Sequence, residues 1–152
     1  MSETQGPLSD HALVIPAFQK SSELSLSLNK TKEAESRLLE AKTVNPVTYV
    51  DLESAYNEAY REIKRHLATV GYELSKADNA LETAKSNFLI DSYQEKIKDL
   101  PKSYDSADLR KAYLMRDEAY VAAKDRVDML KAIEALLDGK IKVFERTCAF
   151  MK

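Results

Sequence analysis

The chain has 152 residues, enough for one domain and short for two. Only 3 Gly and 4 Pro, with 32% charged residues, suit long helices better than a turn-rich β fold. A net charge of −2 argues against a strongly basic nucleic-acid protein while leaving a local patch open, and a lone Cys148 cannot close an intrachain disulfide, which points to a reducing compartment.

Residues 1–15 mix Ser, Gly, Pro and acid without period and read as a flexible arm, followed by a single helical-hairpin domain over 16–152. The first twenty residues lack the basic-then-apolar pattern of a secretory signal. Their most apolar run, from Ala12 to Phe18, is broken by Pro16 and falls far short of the ~20 residues of a membrane span. The expectation is a cytoplasmic protein with no membrane contact.

From about Ala17 a helical pattern begins, with Leu24, Leu28, Thr31, Ala34 or Glu35, Leu38 and Ala41 on one face. It stops at Thr43-Val44-Asn45-Pro46, because proline disfavours helix in the residue before it. Thr48-Tyr49-Val50-Asp51 then matches a short capping box, with Thr48 as N-cap.

The stretch from Thr48 to about Leu100 reads as one uninterrupted helix and organises the rest. Apolar or small residues fall at Tyr49, Leu52, Tyr56, Ala59, Ile63, Leu67, Val70, Leu74, Ala77, Leu81, Ala84 and Phe88. Steps of three and four keep them on one narrow stripe, the seam of a coiled coil or long hairpin. The doubled step of four at Ile63–Leu67 should relax a left-handed supercoil locally. At 1.5 Å per residue such a helix is on the order of 80 Å long and cannot bury its stripe alone.

After Phe88 the seam weakens: Asp91 and Glu95 take the next positions, while Leu89, Tyr93, Ile97 and Leu100 continue on a shifted face. Pro101 ends the helix, and Lys102–Ser106 is short enough to reverse the chain into an antiparallel hairpin. The last helix, from about Ser106 to Lys152, carries Leu109, Ala112, Ala119, Ala123, Val127, Leu130, Ile133, Leu137, Ile141, Phe144, Cys148 and Met151. Its end holds more apolar surface than one partner needs, so Leu137, Ile141, Phe144, Cys148, Phe150 and Met151 are the expected self-association surface.

Charge divides unevenly. Residues 48–100 hold 7 Lys/Arg against 10 Asp/Glu, residues 106–152 hold 10 against 8, and the last 13 residues carry +3 through Lys140, Lys142, Arg146 and Lys152 against Glu145. Basic residues near a helix C-terminus also complement its dipole.

No HExxH, CxxC, GxGxxG, P-loop or GxSxG pattern occurs, and His11, His66 and Cys148 lie far apart in sequence. No catalytic residue, metal or cofactor is expected. Cys148 fits the apolar stripe and reads as packing.

The densest basic cluster is Arg61-Glu62-Ile63-Lys64-Arg65-His66, beside Tyr60. Cations for phosphates and a ring for base stacking are what a single strand requires. The competing reading is a solvated face neutralised by Glu58–Arg61 and Glu62–Arg65 pairs. Several such patches gathered in an oligomer would act as one polyvalent surface. Arg116 stands where the last seam expects an apolar residue, and a pair with Asp91 or Glu95 would fix register there. Gly71 and Gly139 interrupt helices and would allow close helix contact.

Ser106-Ala107-Asp108 opening the last helix, and Ala132-Ile133-Glu134-Ala135-Leu136 ahead of a basic stretch ending in Ala149-Phe150, resemble the phage recombination mediators of the UvsY type. The resemblance covers about the last 45 residues and the order long helix, loop, long helix; the first 45 have no counterpart. It implies a ring-like homo-oligomer assembled through helices, single-stranded DNA binding, and help in loading a RecA-like recombinase onto strands coated by a single-strand-binding protein in a phage-infected cell. Arg61, Lys64 and Arg65 match that family's DNA contacts by place and type, with Glu58 and Glu62 diluting the cluster; Lys140, Lys142 and Arg146 are a second set, from charge alone.

The reading is therefore an all-α protein, a long antiparallel hairpin with a shorter N-terminal helix packed alongside. Its expected role is a non-enzymatic recombination accessory. The alternative is a coiled-coil structural or chaperone-like protein that binds a protein partner through its C-terminal helix.

Overall fold

The computed structural model of the protein describes residues 11–40 and 45–151, with side chains through residue 149. Residues 1–10 of the expected arm and Ala41, Thr43 and Val44 of the expected helix end lie outside the described residues. The chain is mostly helical and broadly all-α, with one small two-stranded sheet.

That sheet stands where the helix from Ala17 was expected. Strands β1 (Ala12–Ile15) and β2 (Leu24–Ser27) pair antiparallel, Ala12 opposite Ser27 and Ile15 opposite Leu24. The run Leu24-Ser25-Leu26-Ser27-Leu28 alternates with period two, and Leu26 and Leu28 are buried while Ser25 and Ser27 face solvent. Leu24 and Leu28 suit both a helix and a strand; the serines between them suit the strand. At the hairpin end Phe18 and Ser21 exchange backbone hydrogen bonds of 2.9 and 2.8 Å around Gln19, whose φ of 51° is left-handed.

Helix α1 covers Asn29–Glu40 and α2 covers Pro46–Asn87. The cap of α2 is Asn45 rather than Thr48. Asn45 Oδ1 accepts from the amides of Val47 and Thr48, both at 3.0 Å, and Thr48 Oγ1 accepts from the Asn45 amide at 2.7 Å. This reciprocal pair puts Pro46 at the first helical position, where its missing N–H costs nothing.

The expected long helix is present as one 52-residue stretch over residues 46–97, ending just short of Leu100. At Phe88–Ser92 it widens into a π-turn, the amide of Tyr93 bonding the carbonyl of Phe88, and α3 (Tyr93–Ile97) follows. This is where the apolar seam changes face. The five-residue closure brings Phe88 and Tyr93, both 1% exposed, onto one side.

After a 3₁₀ turn at Lys102–Tyr104, Ser106 caps α4 (Ala107–Leu114) by accepting from the Leu109 amide at 3.1 Å. The last helix is thus divided: α4 stops at Met115, and Asp117 Oδ2, accepting from the Tyr120 amide at 3.0 Å, opens α5 (Glu118–Met151). Arg116 sits exposed in that break, and among the described residues no ion pair joins it to Asp91 or Glu95.

The chain divides into two compact units, residues 1–69 with 134–152 and residues 70–133. In the first, the hairpin, α1, the start of α2 and the end of α5 share a core. Tyr56 and Phe144 meet edge-to-face at 5.0 Å, and Ile15, Ala34, Ile63 and Leu137 are fully buried. Within this unit the twelve-residue α1 is tied to α2 through Thr31 and Glu62 and to α5 through Glu35 and Lys140.

In the second unit Val70, Ala77, Ala123, Val127 and Leu130 are buried, and Phe88, Tyr93 and Leu114 form a cluster with Leu89, Ile97, Tyr113 and Tyr120. Tyr93 donates its hydroxyl to Asp105 Oδ1 at 2.5 Å, and Arg110 Nε lies 3.5 Å from the same oxygen. Burial first, then this bond to a carboxylate, raises the Tyr93 phenol above its ordinary value and keeps it protonated as a donor. Among the described residues no helix is long and apolar enough to cross a membrane.

Candidate nucleic-acid interface

The basic cluster of α2 alternates between inward and outward side chains. Glu62, Ile63 and His66 are buried; Arg61, Lys64 and Arg65 are exposed. The helical period therefore sorts this stretch into a core-facing carboxylate and three outward cations. Lys64 Nζ stands 5.4 Å from the centre of the half-buried Tyr60 ring, which neutralises no charge but holds a cation over an aromatic face.

The two glutamates that dilute the cluster in sequence are occupied elsewhere. Glu58 Oε2 lies 3.5 Å from Lys30 Nζ on α1. Glu62 turns to the start of α1, where Oε2 accepts from the Thr31 amide at 2.9 Å and the Thr31 hydroxyl at 2.8 Å, and Oε1 accepts from the Lys30 amide at 3.4 Å. A carboxylate at a helix N-terminus satisfies orphan amides and the positive end of the dipole together. The Glu58–Arg61 and Glu62–Arg65 pairs of the solvated-face reading are not formed. Among the described residues Arg61, Lys64 and Arg65 have no carboxylate within ion-pair distance.

One turn on, His66 Nε2 lies 2.6 Å from the Ser27 carbonyl oxygen, so that nitrogen carries the proton and donates. Glu62 and His66 together clasp the β2–α1 junction to α2. At the same junction the amide of His11 donates to Asn29 Oδ1 at 3.0 Å, and the amide of Leu28 donates to the His11 carbonyl.

The second set of cations differs. Lys140 Nζ is 3.0 Å from Glu35 Oε1 and only 22% exposed, so it ties α5 to α1. Lys142 pairs with Asp138 along α5 at 2.9 Å, and Arg146 is exposed. The expected self-association residues are likewise redistributed. Leu137, Ile141 and Phe144 are buried in the chain's own core at 0%, 4% and 3% exposure, and Cys148 is half-buried. Surfaces already packed inside one chain cannot also face a second. The side chains of Phe150 and Met151 lie outside the described residues.

One feature of this unit escaped the sequence reading. An open groove of about 660 Å³ runs between α1 and α5, lined by Leu38, Leu39, Leu136, Gly139 and Val143 and closed beneath by Tyr56 and Phe144. Among the described residues no group of three or more His, Cys, Asp or Glu is placed to hold a metal ion. No protein-family model, curated protein or solved structure matches the chain.

Proposed function

We propose that this is a non-enzymatic recombination accessory protein that binds single-stranded DNA through Arg61, Lys64 and Arg65 and acts as a homo-oligomer. In this reading α2 and α5 are the arms of a long antiparallel hairpin. The strand is captured electrostatically and held open for a RecA-like recombinase to displace a single-strand-binding protein. The observation that carries the reading is the diversion of Glu58 and Glu62 to α1, which leaves three adjacent cations and Tyr60 without a neutralising carboxylate. Cations track phosphates and the ring offers a stacking face, a pairing that tolerates any base sequence.

The test is fluorescence anisotropy of a labelled oligo-dT strand at several salt concentrations. Three phosphate contacts per chain predict a log–log salt slope of about −2 per bound protomer, from roughly −0.7 per phosphate on single strands. Arg61→Glu with Arg65→Glu should abolish binding and leave the fold intact, since both side chains are exposed. No binding at low salt would sink the reading.

The apolar groove supports the alternative, a chaperone-like protein that docks a protein partner on the α5 side. That activity would survive the double charge reversal.

A further inference from the structure

The groove between α1 and α5 leaves unusual apolar surface in water. Leu39 is 87% exposed, Val143 58%, Leu136 46% and Leu38 37%. Leu136 and Val143 stand one residue before Leu137 and Phe144, so α5 carries a second apolar stripe beside its core stripe. Among the described residues of the first unit, nothing covers it.

We propose that a second copy of this chain covers it, the two α5 helices lying antiparallel about a two-fold axis near Gly139 and Lys140. The arrangement follows from the order of residues on α5. An isologous contact requires a surface complementary to itself under a half-turn. In an antiparallel two-fold pair each flank of a helix faces the same flank of its copy. Leu136 and Val143 are equally spaced about the Gly139–Lys140 midpoint, so each meets the other of the second copy. On one flank Asp138 and Lys142 are equally spaced about position 140. Now paired with each other at 2.9 Å and half exposed, they would face the reversed pair, acid against base twice.

Two further observations fit the axis. A Cβ built at Gly139 meets nothing within 4 Å, so the backbone there is open to close approach by another helix. Lys140, nearest the axis, would repel its copy, but Glu35 at 3.0 Å already neutralises it. Leu38 and Leu39 on α1 extend the contact to a layer of two α1 and two α5 helices, the packing of a four-helix bundle. This specifies the surface for the self-association in the reading above and does not depend on DNA.

The test is sedimentation velocity of the full chain without DNA, from 1 to about 100 μM, the range in which a modest interface associates. The expected result is a reversible dimer whose dissociation constant rises at least tenfold in Val143→Glu and in Leu136→Glu, with unchanged circular dichroism. Independently of those variants, Gly139→Cys in a Cys148→Ala background should form a covalent dimer under mild oxidation far faster than Gly71→Cys in the same background. Cβ atoms at both glycines are unobstructed within the chain. A monomer at the highest concentration overturns the proposal and leaves the groove to another occupant. A dimer insensitive to Val143→Glu, or equal cross-linking at both positions, overturns the surface. A monomer that still binds oligo-dT loses this inference and keeps the DNA reading; a dimer that ignores oligo-dT does the reverse.

Discussion

The two units each bury one glutamate of α2, and they compensate it in opposite ways. In the first unit Glu62, 4% exposed, has no cation within ion-pair distance among the described residues; it is held by two amides and a hydroxyl at the start of α1. In the second, Glu73 at 8% exposure faces Arg126 at 6%, with 3.8 Å between them, and Lys76 at 3.4 Å. The first carboxylate is fixed by directional bonds that define where one particular helix begins. The second is compensated mainly by charge at a longer distance, which constrains position less sharply. A buried acid can serve as a joint or as a counter-ion, and α2 uses both.

That contrast sets the order of expected effects. Glu73→Ala removes a buried carboxylate from beside both Arg126 and Lys76 and should cost the most, about 3 kcal/mol by urea unfolding. Replacing the pair together, Glu73→Leu with Arg126→Met, should be neutral or stabilising, because the desolvation of both ions is relieved. A double variant as unstable as the single one would mean that the pair contributes more than its desolvation costs. Glu62→Ala removes the acceptor for three donors and should cost about 2–3 kcal/mol, with hydrogen-exchange protection lost first at Lys30 and Thr31. Here the partner substitution Thr31→Val should not rescue, since the two amides remain orphaned.

Asn45→Ala tests a joint made within one helix end rather than between helices, and should cost about 1 kcal/mol. Gly71→Ala should stabilise by about 0.5–1 kcal/mol, because a Cβ there meets nothing and the helix gains propensity.

Both units carry a raised phenol: Tyr56 in the first by burial and then the nearby Cys148 and Glu35, Tyr93 in the second by burial and then a hydrogen bond. The Tyr93 phenol is raised by burial and by its bond to Asp105. A raised folded-state value means that its stabilisation is complete below the ordinary tyrosine range and is lost as pH climbs through the folded value, above about 10. Ultraviolet titration should show two late-titrating tyrosines, Tyr56 and Tyr93, and Asp105→Asn should move only Tyr93 back towards the others.

The apolar stripe of α2 was legible because nearly every predicted seam residue from Leu52 to Phe88 is buried or half-buried. What stayed hidden is its second stripe: Ala59, Glu62, His66, Val70, Glu73 and Ala77 also follow steps of three and four. Reading by hydrophobicity passes over it because three members are polar, and only tertiary partners on α1, β2 and α5 make their burial tolerable. The hairpin was missed for a related reason. A helical spacing of leucines was given more weight than the serines between them. At the candidate interface the cations were visible, but the fate of Glu58 and Glu62 depended on residues some thirty positions away. Of the expected self-association residues, Leu137, Ile141 and Phe144 are buried in the first unit, while Leu136 and Val143, one residue before Leu137 and Phe144, are exposed.

The π-turn at Phe88–Ser92 has a genetic consequence. It amounts to one residue more than an α-helix needs between Phe88 and Tyr93, and Ile90, 69% exposed, is the member with least to lose. Deleting the single codon for Ile90 would leave Phe88 and the tyrosine four residues apart, still on one face of an ordinary helix. This chain should therefore accept a one-residue deletion within the π-turn, whereas the same deletion a few turns earlier in α2 would swing every later side chain off its partners.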